Sequence, residues 1–143
     1  MSRNLRIIFE RILCPTDLTE ESDDALRYAR EREQFGRPIG KNQAIRHMLA
    51  EAATDLEAGR WLTYRGAWLH AKGLPCTREA TMAKVYISEM WQRTTAVGMQ
   101  ILGGHAYTMD HPMQRYWRDA RNGTVGGGTS QILRDVIAAT LDL

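Results

Sequence analysis

Two glycine-bearing stretches are the first places in this 143-residue sequence where residue type and spacing suggest chemistry. Gly36-Arg37-Pro38-Ile39-Gly40-Lys41-Asn42 sets a lysine behind a glycine, as a loop that cradles nucleotide phosphates does, but such a loop keeps a longer spacer between its glycines and a hydroxyl after the lysine. Three residues separate Gly36 from Gly40 and Asn42 stands in the hydroxyl's place, so phosphate-loop chemistry is not expected. Gly126-Gly127-Gly128-Thr129-Ser130 opens an apolar helical pattern. Free amides at a helix N-terminus suit a phosphate or another anion, although taken alone the stretch reads first as a linker. His47, His70, His105 and His111 are scattered; His105 and His111 are near enough to converge, but no Cys or carboxylate sits beside them at a metal-ligand spacing, and no metal site is expected. Trp61, Tyr64 and Trp68 recur at helical spacing and read as core or subunit contact rather than a base-stacking platform. Arg27, Arg30, Arg32 and Arg37 alternate with Glu31 and Glu33, the pattern of a solvated helix face.

The spacing of apolar residues places the elements that must carry these groups. A helix is predicted from Glu20 to Phe35, with Ala25, Leu26, Ala29 and Phe35 on its apolar side, capping residues between Asp17 and Ser22, and Gly36 and Pro38 as its stop. A second, from Asn42 to Lys72, keeps Ile45, Met48, Leu49, Ala52, Leu56, Leu62 and Leu69 on one stripe and ends at Gly73 and Pro75. A third starts near Thr77, carries Ala83, Ile87, Met90, Trp91, Thr94, Val97 and Ile101 on a shared face, and breaks at Gly103-Gly104. Asp110 is the expected cap of a short helix through Arg121, with Pro112 tolerated in its first turn. Asn122-Gly123-Thr124 fits a glycosylation acceptor but reads as a turn. Thr129 or Ser130 caps a last helix containing Ile132, Val136, Ile137 and Leu141. Only Leu5 to Cys14 reads as a strand, bounded by Pro15. The expected fold is all-α: an antiparallel helical bundle over residues 19–143, preceded by an N-terminal arm or strand over residues 1–18.

Composition narrows the function classes. With 19 Lys and Arg against 17 Asp and Glu, the net charge of +2 excludes a strongly basic nucleic-acid binder and an acidic tail. At 43% hydrophobic and 25% charged residues, the chain is an ordinary globular domain. Its longest apolar runs, Ile7 to Phe9 and Ile12 to Cys14, are far short of a membrane span. Cys14 and Cys76 form no CxxC pair and read as reduced thiols of a cytoplasmic protein. Arg3, Arg6 and Arg11 give the N-terminus a transit-peptide flavour, which Glu10 and the lack of a cleavage pattern oppose.

Four segments carry more than generic patterning: ALRYAREREQFGRPIGKNQAI, EATMAKVYISEMW, AVGMQILGGHAYTMDHPMQRYWRDAR and GGGTSQILRDVIA. In that order and spacing, with R-x-x-F-G, Q-I-x-G-G, R-D-A and G-T-S-Q-I among them, residues from about Asp24 to Leu143 resemble the C-terminal helical domain of the acyl-CoA dehydrogenases. The resemblance implies an up-down four-helix bundle that packs against a β-domain of its own chain and against the bundles of other subunits, in a dimer or tetramer, with FAD lying partly across a subunit boundary and acyl-CoA as substrate. Arg32 and Phe35 match positions on the flavin pyrophosphate side of a neighbouring subunit, and Gln34 a further polar contact. Gln100 and Gly104 match contacts to the adenosine half, and Thr129 and Gln131 match residues that touch FAD after the catalytic loop. The types make physical sense, since a guanidinium offers paired donors to phosphate oxygens and glycine lets backbone approach a cofactor closely.

Departures from the family pattern are as informative. The reaction removes an α-proton from an acyl thioester while the β-hydride passes to flavin, so a carboxylate base must stand at Cα. The residue before G-T-S, where that base usually sits, is Gly127. The alternative position, about 26 residues before Arg32, is Arg6. The family's N-terminal helical domain and middle β-domain are not in this sequence either, so the expectation is a protein inert by itself, one that retains remnants of an FAD site or pairs with a separate subunit supplying the rest. The competing expectation is a structural or partner-binding helical oligomer without flavin, a fused or truncated product. Near the N-terminus, FERILCPTDLTEESDDALRYA is similar to the opening strand, loop and helix of a universal stress protein, which would put Asp17 in a nucleotide-binding loop.

Overall fold

Six helices and one miniature hairpin run through residues 19–141, the part of the chain that the structure, a computed structural model, describes. They are α1 (Thr19–Glu31), β1 (Glu33–Gln34), β2 (Arg37–Pro38), a 3-10 turn (Ile39–Lys41), α2 (Gln43–Ala71), α3 (Thr77–Leu102), α4 (Gly104–Tyr107), α5 (Met113–Gly123) and α6 (Ser130–Ala138). The expected strand at Leu5 to Cys14, the arm over residues 1–18 and Asp17 lie outside the described residues. No described helix is long and apolar enough to cross a membrane.

α3 is the central rod. α1, α2, α5 and α6 all pack on it, and α1, α2, α3 and α5 alternate in direction to give an up-down bundle. Small residues set how closely the rods approach. Gly59 of α2 faces Ile87 and Met90, and Gly98 of α3 lies against the Met113 side chain of α5. One core cluster joins Ala83, Ile87 and Met90 to Leu56, Leu62, Tyr86 and Trp91; a second joins Ala25, Leu102, Ala106 and Met113. A third, of Ala29, Ile39 and Ile101, seats the 3-10 turn between α1 and α3. The apolar stripes predicted for the two long helices therefore supply most of the core. A polar tie reinforces the α2–α3 contact: Asp55 accepts from the Tyr86 hydroxyl at 2.8 Å and from Arg93 Nη2 at 2.8 Å.

Helix ends follow local chemistry, and here several expectations need correction. α2 stops as predicted at Gly73, whose φ of 69° lets its amide reach the His70 carbonyl and the Leu74 amide the Leu69 carbonyl. The first helix ends at Glu31 instead of Phe35, because the Ile39 amide takes the Arg32 carbonyl at 2.8 Å and the chain folds back, pairing Glu33 with Pro38 and Gln34 with Arg37. Asp110 does not cap α5. That helix starts at Met113, whose amide donates to His111 Nδ1 at 3.2 Å. The chain also turns helical again after Gly103, in the four-residue α4. Thr129, not Ser130, caps α6: its hydroxyl accepts from the Ile132 amide, while Ser130 Oγ is buried without a partner among the described residues.

The hairpin's seat is tight. A Cβ added at Gly40 would come within 2.8 Å of the Ala29 carbonyl oxygen, a backbone atom that cannot swing aside. Gly40→Ala should therefore destabilise the fold by about 1–3 kcal/mol, read as a lower midpoint in urea unfolding followed by far-UV circular dichroism.

Candidate functional site

The hairpin between α1 and α2 holds its tip in an unusual conformation. Phe35 (φ 54°) and Gly36 (φ 75°) both occupy the left-handed region, as a two-residue turn joining twisted strands requires at its two central positions. Glycine adopts that conformation freely, whereas an L-residue with a bulky side chain pays about 1–2 kcal/mol. Phe35 is nonetheless 99% exposed, so no burial within the chain offsets the strain. Strain held against solvent points to a contact made outside the chain. Arg32 precedes the hairpin with an exposed guanidinium that has no ion-pair partner among the described residues.

Arg32 shares a pocket of about 420 Å³ with Tyr28, Leu102, Gly104 and His105. Gly103 (φ 62°) turns the chain out of α3 to form one wall. A Cβ on Gly104 would meet nothing within 4 Å, so the chain's own packing does not demand glycine there, and its bareness leaves backbone open to an incoming group. Gln100 stands exposed on the last turn of α3, two residues before Leu102 of the pocket wall, and does not itself line the pocket. The Tyr28 and His105 rings stack at 6.0 Å, and the His105 and His111 rings meet edge-on at 5.1 Å, so the two histidines do converge. No group of three or more metal-ligating side chains accompanies them among the described residues. Burial holds the His111 imidazole below the usual histidine range; the Asp24 carboxylate opposes this, and the charges of His105 and Arg27 add to it.

Thr129 and Gln131 lie elsewhere. They sit at the start of α6, where Arg134 reaches Glu89 midway along α3 at 2.6 Å and the adjoining Gly128 carbonyl is held by Lys84, in the N-terminal half of that helix and away from the pocket. The stretch of α3 from Lys84 to Leu102 is roughly 27 Å long at the rise of an α-helix. One copy of the chain therefore gathers Arg32, Gln34, Phe35, Gln100 and Gly104 at one end and keeps Thr129 and Gln131 away from it. Before α6, Gly127 and Gly128 have φ values of 68° and 111°. A residue that sequence patterning passes over holds this turn: Lys84, 1% exposed on α3, donates to the carbonyls of Gly123 and Gly128.

The aromatic stripe of α2 is exposed, so its reading as core is wrong. Trp61, Tyr64 and Trp68 are 64%, 55% and 52% exposed and, with Arg65, line a groove of about 540 Å³.

Residues 12–141 match the family described as acyl-CoA dehydrogenase, C-terminal domain. The chain belongs to the acyl-CoA dehydrogenase family. It is 46% identical over 114 residues to benzylmalonyl-CoA dehydrogenase of Aromatoleum aromaticum, a match covering 80% of this chain and 30% of that protein. It is similar to butyryl-CoA dehydrogenase from Megasphaera elsdenii, with a TM-score of 0.85, 31% identity, and coverage of 98% of this chain and 34% of that one. It also resembles PigA in a structure with FAD and proline, with a TM-score of 0.86 at 28% identity, covering 88% of this chain and 33% of that one. This acyl-CoA dehydrogenase chain thus spans about a third of the length of these proteins, and the fold is that of the family's C-terminal helical domain. FAD is the family's cofactor. The likeness to a universal stress protein is not supported, since the acyl-CoA dehydrogenase match itself takes in the chain from residue 12.

Two outcomes follow from the site's geometry. Phe35→Asn would create the Asn-Gly pair that this turn type favours and should raise stability by about 1 kcal/mol, seen as a higher urea midpoint. A histidine whose native pKa lies below that of the unfolded chain takes up its proton less readily when folded. The stability it contributes is intact above about 6.5 and is lost as pH falls through that value toward the lower native one. His111→Gln should accordingly flatten the loss of stability between about pH 7 and pH 5, measured as the difference in urea midpoint between variant and wild type.

Proposed function

We propose that this chain is a flavin-binding part of an FAD-dependent acyl-CoA dehydrogenase that supplies cofactor contacts but no catalytic base, and is therefore inert toward acyl-CoA by itself. The observation that carries this reading is Gly127. The position that the family pattern gives to the base bears no side chain and sits at a positive φ. When bound, FAD accepts the β-hydride; a carboxylate from elsewhere must take the α-proton.

The chain's own residues fit the diphosphate end of the cofactor. Arg32 offers an uncommitted guanidinium to phosphate oxygens, Gln34 adds an amide, and exposed Phe35 offers an apolar face. Gly104 stands at the same pocket for the adenosine half, letting the group lie against backbone, and exposed Gln100 on the last turn of α3 adds a polar contact. Thr129 and Gln131 serve a second flavin from the N-terminal half of α3. With the two groups so far apart in one copy, each cofactor is served by two copies, which supports a dimer or tetramer. The exposed stripe of Trp61, Tyr64 and Trp68 is the face on which the copies meet, since an apolar surface of that size seeks cover. The cytoplasm is the proposed setting, in keeping with Cys76, a buried free thiol.

One preparation tests the reading through absorbance, FAD titration, dye-coupled acyl-CoA oxidation and light scattering. A dimer or tetramer is expected that binds FAD, with Arg32→Ala weakening binding at least about tenfold and no acyl-CoA oxidised. Robust turnover would overturn the inertness. A colourless oligomer that FAD does not titrate would favour a structural assembly, and a monomer at micromolar concentration would remove the shared site.

A further inference from the structure

The loop between α5 and α6 is held by a buried cation with no anion bonded to it. Lys84 lies on α3 and is 1% exposed. Its Nζ donates to the carbonyl of Gly123, at the last residue of α5, at 2.9 Å, and to the carbonyl of Gly128, just before the cap of α6, at 2.7 Å. No carboxylate lies within ion-pair distance of it among the described residues: Glu89, the acid that acts on it, is committed to Arg134. Burial pushes the Lys84 ammonium below the usual lysine range, the Glu89 charge opposing. A desolvated cation placed on two carbonyls, one of them at the negative end of a helix, is costly to dislodge.

The same face of α3 supplies the rest of the grip. Gly123 approaches so closely that an added Cβ would stand 3.3 Å from Ser88 Cβ and 3.4 Å from Trp91 Cε3. One helical turn beyond Ser88, Gln92 Nε2 donates to Thr124 Oγ1 at 2.8 Å while its Oε1 accepts from Arg121 at 3.0 Å. The loop's own backbone adds three bonds, from Val125 and Gly126 to the Asn122 carbonyl at 3.1 and 2.7 Å and from Ser130 to the Thr124 carbonyl at 3.1 Å. The last of these closes the loop on itself; among these contacts only Lys84 ties both its entry at Gly123 and its exit at Gly128 to α3.

We propose that Lys84 is a positioning residue: by pinning the carbonyls of Gly123 and Gly128 to α3, it fixes the path of residues 124–128 and so the place at which Thr129 and Gln131 meet the flavin. This rests on the flavin reading for its consequence, but the pinning itself does not need a cofactor. The two parts are therefore measured separately, by backbone amide exchange and by FAD titration of the full chain.

Lys84→Met keeps most of the volume and removes every donor; Lys84→Gln keeps two donors on a shorter, neutral side chain. Leu69→Ala serves as a general destabiliser remote from the loop. Lys84→Met should raise exchange at residues 124–130 at least about tenfold while α2 and α1 keep their protection, and should weaken FAD binding by a similar factor. Lys84→Gln should show a smaller effect of the same pattern. Unchanged exchange in the loop overturns the proposal, as does a uniform rise matching that of Leu69→Ala, because the lysine would then support the fold at large. Failure of both Lys84 variants to fold counts against it in the same way. If the wild type binds no FAD, the flavin reading falls, and loop exchange alone decides the pinning. If wild type and Lys84→Met bind FAD equally while the loop is freed, the pinning stands and its role in placing the flavin contacts is wrong.

Discussion

Every other part of the described fold answers to one constraint: α3 is buried over most of its circumference. Half of its 26 residues are buried, and exposure is confined to its first residues and to a narrow stripe of Arg93, Ala96 and Gln100. A helix covered to this extent needs several neighbours, and α1, α2, α5 and α6 are those neighbours. The buried polar groups on α3 do not oppose this. Thr81, Ser88 and Thr95 return their hydroxyl protons to carbonyls of their own helix, which leaves their outer surfaces small and effectively apolar. Small residues let partner helices come close, and closeness makes the glycines at 59, 98 and 123 matter as points of contact rather than of flexibility.

Burial also explains where the open pocket sits. Along its middle, α3 is mostly covered by its neighbours, and the bundle opens where the rod breaks. At the C-terminal end, Gly103 and Gly104 break the rod and leave a pocket beside Arg32; toward the other end, the α5–α6 loop closes over Lys84. A rod of this length holds the two groups apart whatever the loops do.

Much of this was legible in the residues. Periodicity located the long helices and their buried faces, because a stripe repeated over many turns outweighs single exceptions. The hairpin was not legible: strands of two residues carry no periodicity, and Phe35 falls where a helix face would continue. What decides its shape is the left-handed pair Phe35-Gly36, a turn signal that an aromatic first residue disguises. Asp110 has the better side chain for a cap, yet His111 accepts the amide, since Pro112 fixes the backbone between them and the helix at Met113. Trp61, Tyr64 and Trp68 looked like core because α2 is apolar on two sides, and nothing in one chain tells which side its own bundle covers. Lys84 was the hardest to see. A lysine in a helical stripe reads as solvated, and its partners lie 39 and 44 residues away along the chain. Family resemblance named the residues around the pocket but said nothing of the strain at Phe35 or of the lysine beneath the loop.

The tightness of that loop accounts for the glycine at position 127. To bring the Gly128 carbonyl back to a lysine that already holds Gly123, the chain must reverse within a few residues, and it does so through successive positive φ values at Gly127 and Gly128. Glycine takes both without strain, whereas a glutamate at 127 in this conformation would carry the steric cost that any L-residue carries there. A carboxylate aimed at a substrate also has to be held still, and a strained residue on a loop pinned from below gains its stillness only by loosening the turn that holds it. Gly127 is part of how the α5–α6 connection closes onto α3.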